Sequence, residues 1–440
     1  MTGRMARTQP GPTLERALGF WQVTASGVGI IIGAGIYVLV GEATTEAGSA
    51  VWAAFLLAAV LSAFTGLGYA ELASMYPKAG GEFEFSRHVF PASISFVTGW
   101  VMIAALCVAS GAVSLGFASY LNEFFAVDRR LAAFALLAVL TLIALGGIKN
   151  SARITIVLSA VQVGGLLFVI AVGAPHVGDV DLWEGATAGG ILGGAALVFF
   201  AFIGFDEVIS LAEETHSPSR TVPRALLAAL GISTVLYVAV AIVSVSVLGV
   251  ERLGASDRPV AAVAGESTGD AGMWLIAVAA LISTANTTLL AITSASRVTY
   301  AMAKDGALPP RFAVISGRTR VPASAIVATS LVALGFAALK DLSLIAQVTD
   351  AAVYLVFLVV NAAVIALRYR APGTARPFRM PLSVGRFPVL AGLGFLVTAV
   401  MLTQLDLTSL ALTGVVLGLG LAAYLRFARK RWVYRPDATG

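Results

Sequence analysis

Two glycine-bearing segments inside long apolar stretches are the residues of this chain best suited to binding chemistry. The first is GIIIGAGIY at 29–37 and the second is FFAFIGFDE at 199–207. A glycine costs about 1 kcal/mol relative to alanine in a helix interior. A backbone group freed from a helix in hydrocarbon must find a partner or line a cavity. We therefore predict that both segments are breaks in membrane helices, where bare backbone binds a solute.

The two breaks lie five predicted spans apart, the separation that two inverted five-helix repeats produce. If they meet near the bilayer midplane, the N–H groups that begin the second half of the first span favour a carboxylate. The carbonyl groups that end the first half of the sixth span favour an ammonium group. A cavity with these two poles suits a zwitterionic amino acid. The alternative is that the glycines only allow close helix packing.

Acidic residues within the apolar stretches are further candidates, because ionisable groups inside a membrane are rare and usually functional. Asp206 lies in the second break, Glu207 is next to it, and Asp350 lies inside the tenth predicted span. Each is a candidate for proton binding, since burial favours the neutral carboxyl group. A static hydrogen bond to a neighbouring helix is the alternative. We expect ion pairs instead for the acids nearest to basic residues, Glu71, Glu213 and Glu214.

Small polar residues cluster in the eighth predicted span, at Ser283, Thr284, Asn286, Thr287 and Thr288. Their oxygens are of the type that coordinates a hard cation. Such residues also hydrogen-bond between membrane helices, or back to their own helix. We favour the hydrogen-bonding interpretation and keep the cation site as the alternative.

Enzymatic chemistry is not predicted. The three histidines, His88, His176 and His216, have no metal-ligand spacing, and no GxxxxGK[ST] phosphate loop is present. The single cysteine, Cys107, lies in an apolar run and can form no disulfide within the chain. We therefore expect no enzyme activity, no cofactor and no metal site, and no nucleic-acid partner.

The elements that position these residues are membrane helices. The chain of 440 residues is 58% hydrophobic and only 12% charged, against about 25% charged in a typical soluble domain. We predict an all-α integral membrane protein with about twelve spans, since about twenty apolar residues cross a bilayer. The predicted spans are 20–40, 51–75, 93–124, 131–148, 153–173, 190–213, 224–250, 272–302, 321–339, 342–368, 388–405 and 408–427.

The basic residues predict the orientation. With the N-terminus inside, most of the 29 Lys and Arg residues fall in cytoplasmic segments. Those left outside are Arg129, Arg130, Arg252, Arg258 and Lys340. This bias places both termini in the cytoplasm of a multi-pass cell-membrane protein, with the lipid bilayer as its surroundings.

Five sequence blocks resemble the amino acid–polyamine–organocation superfamily of transporters. They are GIIIGAGIY at 29–37, YAELASMYPKAGGEF at 69–83, FFAFIGFDE with AEETHSPSRTVPRA at 199–225, SRVTYAMAKDGALPP at 296–310 and RPFRMP at 376–381. The resemblance implies the leucine-transporter-type fold, with two inverted five-helix repeats and two extra helices. It divides the chain into a cytoplasmic segment, the two repeats, the accessory helices and a tail, at 1–19, 20–173, 190–368, 388–427 and 428–440.

The resemblance also implies a substrate site made largely of backbone. The N–H groups of Gly33, Ala34 and Gly35 are expected to bind the substrate carboxylate. The substrate amino group is expected to bind the carbonyl groups of Ile31, Phe200, Ala201 and Ile203. The ring of Phe200 matches the aromatic group that closes over the substrate from outside. Many relatives carry Ser or Thr at the position of Ala34, so this chain relies on backbone alone there.

Coupling is where the chain departs from its relatives. Proton-linked relatives without a sodium site often carry a lysine in the fifth helix, and the matching residue here is Gln162. Glutamine does not titrate, so a lysine-based proton mechanism is not supported. The remaining coupling or gating candidates are Asp206 and Asp350 for protons, and Thr284, Asn286 and Thr287 for a cation. By the resemblance, Asp206 matches an acid of related exchangers that acts in pH-dependent gating.

These observations predict a secondary transporter for an amino acid, working by alternating access and driven by protons or by exchange, with sodium less favoured. Phe, Ile and Ala at the predicted pocket indicate a neutral, apolar or small side chain. Three alternatives remain open: a cationic amino acid or polyamine transporter, a sensor that binds without transport, and a channel. The channel is disfavoured because the chain has no repeated ring of carbonyl or charged residues.

Overall fold

The computed structural model describes residues 16–78, 80–122, 124–256, 258–338, 342–403, 405 and 407–429. Within them the chain is almost entirely helical, as predicted. The α-helices are α1 (Phe20–Ile31), α2 (Ala34–Ala47), α3 (Val51–Met75), α4 (Gly81–Arg87), α5 (Ala92–Leu121), α6 (Arg129–Leu145), α7 (Ile148–Gly173), α8 (Ala188–Val198), α9 (Pro218–Gly254), α10 (Pro259–Thr268), α11 (Asp270–Lys304), α12 (Ala323–Ala337), α13 (Leu342–Arg370), α14 (Val389–Leu402) and α15 (Leu407–Ala423).

Shorter elements connect these helices. Segments of 3₁₀-helix cover Gly48–Ala50, Ala174–His176, Phe199–Phe202, Phe205–Glu214 and Pro310–Ala313, and a π-helical turn covers Tyr424–Ala428. The strands β1 (Ser383–Val384) and β2 (Phe387–Pro388) form an antiparallel hairpin in which Ser383 faces Pro388.

Among the described residues, eight helical stretches are long and apolar enough to cross a membrane. They are Leu39–Met75, Ala92–Leu121, Ile154–His176, Ala188–Glu214, Pro218–Gly254, Asp270–Lys304, Gln347–Arg370 and Leu407–Arg426. Three shorter apolar helices are Phe20–Ile31, Ala323–Ala337 and Val389–Leu402. The structure therefore confirms an all-helical chain with many potential membrane spans.

Both predicted helix breaks are present. The first predicted span divides into α1 and α2 at Ile32 and Gly33, whose ψ angles of 70° and −154° are not helical. The sixth divides into α8 and two 3₁₀ segments, and Gly204 between those segments has a φ of 115°. Only glycine adopts that backbone region readily, and a Cβ at Gly204 would collide with the side chain of Ile30.

The helices pack around the broken segments. α1 contacts α7, α9 and α11, α3 packs on α9, and the long helices α5 and α11 pack together. The end of the bundle at which α3 and α11 end carries Lys78, Arg87, Lys304 and Arg368. We call it the basic end.

Candidate functional site

The two breaks touch each other in the interior of the bundle. A Cβ at Gly35, in the first turn of α2, would lie 2.7 Å from both Cα and Cβ of Ala201 in the second break. A Cβ at Gly33 would lie 3.1 Å from the Thr287 hydroxyl on α11. The predicted meeting of the first and sixth spans is thus present, and it depends on the absence of side chains at these glycines.

The N-terminus of α2 opens at this contact. Ala34 and Gly35 are its first two residues, and Gly33 precedes it without a side-chain cap. An α-helix leaves its first N–H groups without partners inside the helix, and the helix dipole makes this end favourable for an anion. The Gly33 N–H group donates to the Ile31 carbonyl at 2.8 Å. The carboxylate pole thus has the N–H groups of Ala34 and Gly35 available, while that of Gly33 is already used.

One side chain missed at the sequence level, Tyr237 of α9, joins the two breaks. Its hydroxyl donates to the Ile31 carbonyl at 2.5 Å and lies 3.1 Å from the Ala201 carbonyl. Both carbonyls had been expected to bind the substrate amino group. The tyrosine ring packs edge-on against Phe55 and Phe202, 5.7 and 5.1 Å away. A tyrosine in an apolar helix gives no local sequence signal of such a contact.

The carbonyls of Phe200 and Ile203 are the other two groups predicted to bind the substrate amino group. The Phe200 carbonyl accepts from the N–H group of Ile203 at 3.1 Å, which closes the turn of the second break. The side chains of Phe200 and Ile203 are both partly exposed, whereas their neighbours Phe199 and Phe202 are buried. Phe199 contacts the Tyr354 ring of α13 at 5.4 Å. The wall beside the gap is therefore apolar and aromatic.

Gln162 of α7 lies at the crossing of α1, α7 and α11. Its Nε2 atom is 3.0 Å from the Ile32 carbonyl and 2.9 Å from the Ser283 hydroxyl. Its Oε1 atom accepts from Asn286 at 3.0 Å, and Asn286 also lies 3.2 Å from Ser159. A neutral amide thus holds the end of α1.

The α11 hydroxyl groups also make hydrogen bonds. Ser283 donates to Ile32 at 2.7 Å, and Thr287 lies 3.4 Å from the Gly29 carbonyl. Thr284 bonds back to its own helix at Ala280 and Leu281. This agrees with the hydrogen-bonding interpretation of the cluster, and in the described part of the chain no group of His, Cys, Asp or Glu has metal-binding geometry.

Asp206 is buried and Asp350 is partly exposed, and each has one buried oxygen without a partner among the described residues. Asp206 Oδ1 accepts from the Gly204 N–H at 3.1 Å, which stabilises the start of the second 3₁₀ segment, while Oδ2 has no partner in the part of the chain that the structure describes. Asp350 Oδ1 is also without a partner. Asp350 lies one turn from Tyr354 on α13, and the structure does not bring it to Asp206.

The three acids that were predicted to form ion pairs, Glu71, Glu213 and Glu214, do so. Glu71 binds Arg368 at 2.6 and 2.7 Å, and also contacts Arg376 and the Met380 N–H. Two further pairs join the end of the second break to α11, Glu214 to Arg297 at 2.8 and 3.0 Å and Glu213 to Lys304 at 3.3 Å. These contacts close the bundle at the basic end.

The candidate site is thus the contact between two broken helices inside a bundle of long apolar helices. Residues 18–421 match the family model described as amino acid permease. The chain belongs to the amino acid permease family, within the amino acid–polyamine–organocation superfamily. It is a permease rather than an enzyme.

Three relatives show the range of this similarity. The branched-chain amino acid permease of Bacillus subtilis (strain 168) is 29% identical, over 97% of this chain and 96% of that protein. The methylthioribose transporter of the same bacterium is 30% identical, over 84% and 85%. The vacuolar cationic amino acid transporter 4 of Arabidopsis thaliana is 31% identical, over 82% of this chain and 64% of that protein.

Proposed function

We propose that the protein is a secondary active transporter of neutral, apolar or small amino acids, working by alternating access. The observation that carries this proposal is the contact between the two breaks, at Gly35 and Ala201, beside the uncapped N-terminus of α2. The N–H groups of Ala34 and Gly35 bind the substrate carboxylate. The apolar wall near Phe200 and Ile203 accepts the side chain.

The amino pole is smaller than the sequence predicted. Tyr237 occupies the Ile31 and Ala201 carbonyls from the α9 side. A carbonyl oxygen has two lone pairs, and those of Ile31 already accept from Tyr237 and from the Gly33 N–H group, so an ammonium group binds the Ala201 carbonyl, next to the Phe200 carbonyl. This arrangement requires the substrate amino group and Tyr237 to share the Ala201 carbonyl.

The proposed topology has about twelve spans with both termini in the cytoplasm. The first five spans, at 20–173, and the next five, at 190–368, form inverted repeats, and 388–427 holds two accessory helices. The basic end is the cytoplasmic end. In this arrangement the ion pairs of Glu213 and Glu214 with α11 keep the cytoplasmic side closed.

In this proposal, Gln162 of α7 takes no part in coupling transport to an ion gradient. The Gln162 amide donates to the carbonyl and hydroxyl oxygens that a cation would need, so neither a lysine nor a sodium ion is required there. Transport is then driven by protons bound elsewhere, or by exchange of one amino acid for another.

Uptake into proteoliposomes tests the proposal. The purified full-length protein is supplied with radiolabelled leucine, alanine, arginine and putrescine, under a proton gradient, a sodium gradient or preloaded unlabelled amino acid. We expect leucine or alanine uptake, driven by the proton gradient or by exchange. Uptake of arginine or putrescine alone would favour the cationic alternative, and binding of all substrates without flux would favour a sensor.

A further inference from the structure

Three buried acidic side chains from two packed elements interact with one another. Glu82 lies on the short helix α4, and Asp206 and Glu207 begin the second 3₁₀ segment. They are 2%, 2% and 8% exposed. α4 packs directly on this segment, since a Cβ at Gly81 would lie 4.0 Å from the Ile209 side chain.

Polar atoms around this acidic cluster lack partners. Asp206 Oδ2 and Glu207 Oε2 are buried without a hydrogen bond among the described residues. The fully buried hydroxyl of Tyr69, on α3, faces the Glu82 carboxyl group. Ser294 of α11 lies beside Glu207. A proton on one of these acids would turn an unpartnered acceptor into a donor to its neighbour.

The charge balance requires protons. Asp206 repels both Glu82 and Glu207, and within the described residues none of the three acids has an ion-pair partner among the Lys, Arg and His side chains. Several buried carboxylates without a counter-ion are strongly unfavourable, so such groups take up protons. Burial, and next the charge of Asp206, raise the pKa of Glu82 to about 8.

Glu84, on the same short helix, has the opposite surroundings. It contacts Lys78 at 2.6 Å and Arg87 and His88 at 3.2 Å each. Burial alone would raise the pKa of Glu84, but these three partners together lower it to about 2. One face of α4 therefore stays ionised and is bound to cations, while the other face presents a carboxyl group to two further acids.

We propose that Glu82, Asp206 and Glu207 form one proton-binding site that joins α4 to the broken helix, and that its occupancy controls opening of the basic end. Each step is a proton transfer in which a carboxylate takes up one proton and becomes a neutral acid. With protons bound, the two elements stay packed. When protons leave, the negative charges repel and α4 separates from the 3₁₀ segment. The claim that proton binding controls transport rests on the proposed function. The claim that the three acids bind protons does not.

Thiol labelling tests the opening without any substrate. Cys107, the single cysteine, is replaced by alanine, and Ile209→Cys places a thiol where α4 now covers the 3₁₀ segment. Its maleimide labelling rate is divided by that of Val384→Cys, an exposed position on the hairpin, because thiol reactivity itself rises with pH. We expect the ratio to rise at least about fivefold from about pH 6 to about pH 9, as the site loses its protons.

Matched variants assign that rise to the acidic cluster. Glu82→Gln and Glu207→Gln keep the shape of the side chains but cannot ionise, and each should reduce the rise to less than about twofold. Glu84→Gln, the same change on the other face of α4, should preserve it. A ratio that does not change with pH, or a rise that survives in both Glu82→Gln and Glu207→Gln, would overturn the proposal.

Infrared spectroscopy separates proton binding from opening. The protonated carboxyl band of the Cys107→Ala protein should disappear between about pH 6 and about pH 9 and should be smaller in Glu82→Gln. Glu82→Asp should retain the band, which guards against misfolding as the cause of its loss. A band of equal size in the parent and in Glu82→Gln contradicts the site. If the labelling and infrared results are as expected but no amino acid is transported, only the proposed transport function is contradicted.

Discussion

The Tyr237 hydroxyl lies 2.5 Å from the Ile31 carbonyl and 3.1 Å from the Ala201 carbonyl, so a single side chain of α9 joins both helix breaks. Glycines interrupt both helices here, and carbonyls that lose their helical partners need other donors within the membrane. A third helix, α9, thus fixes the position of one helix break relative to the other.

Tyr237→Phe should reduce amino acid uptake at least about tenfold, since it removes the one hydroxyl donor that joins the two breaks, a loss worth about 1–3 kcal/mol. The ring contacts with Phe55 and Phe202 remain, so the protein should still fold. Tyr37→Phe is the control, because the Tyr37 hydroxyl is buried and has no hydrogen-bond partner among the residues that the structure describes. Uptake in proteoliposomes and thermal unfolding are measured for both. Equal uptake in the two variants would show that the hydroxyl does not position the breaks.

Gly35→Ala should abolish substrate binding. The added methyl group would lie 2.7 Å from Ala201 Cα, which is too close for any rearrangement of side chains to relieve, so the breaks must move apart. Gly33→Val should do the same, because its branched side chain would block the approach of the carboxylate to the backbone. Gly231→Ala is the control, since nothing lies within 4 Å of a Cβ there. Binding of radiolabelled leucine to each variant is measured by scintillation proximity. Retained affinity in Gly35→Ala would refute the assignment of the substrate site to the contact between the breaks.

Gln162→Glu should make both transport and stability depend on pH. The carboxylate form would bring a negative oxygen to the Ile32 carbonyl and the Ser283 hydroxyl, where the amide now donates. Only the neutral acid can replace that donor, so the folded state retains its proton and stability falls as the pH rises. Thermal unfolding at about pH 5 and about pH 8 should differ by several degrees more than in the parent protein. An unchanged difference would mean that Gln162 is not a donor there.

Asp206→Asn should flatten the pH dependence of uptake, whereas Asp350→Asn should preserve it. Asp206 belongs to the cluster with Glu82 and Glu207, and Asp350 is an isolated acid on α13. We expect the ratio of uptake at about pH 5.5 to uptake at about pH 8 to fall to within about twofold only for Asp206→Asn. The reverse outcome would assign the coupling proton to Asp350.

Glu71→Gln should destabilise the protein by about 3–5 kcal/mol, because it removes the charge that neutralises buried Arg368. The side chains of this pair are 2% and 3% exposed. Glu266→Gln is the control, since its pair with Arg252 is largely exposed and such pairs contribute little. Chemical unfolding in detergent, followed by tryptophan fluorescence, compares the two variants. A similar small effect from both would show that Arg368 finds another partner.

The sequence alone determined the features that are encoded locally. Runs of apolar residues predict membrane helices, and glycines within two of them predict breaks at Gly33 and near Gly204. The acids beside basic segments, such as Glu71, were correctly predicted to form ion pairs. These inferences succeed because helix propensity and hydropathy act over a few residues.

Only the tertiary structure decided which polar groups the breaks contact. Tyr237 reaches Ile31 across 206 positions of sequence, Gln162 reaches Ile32 across 130, and Glu82 faces Asp206 from another element. No local pattern distinguishes these residues from others on apolar helices, because their partners are chosen by the packing of distant helices. The prediction that free carbonyls await a substrate was incomplete for the same reason, since a buried carbonyl is satisfied by whichever donor the fold brings to it.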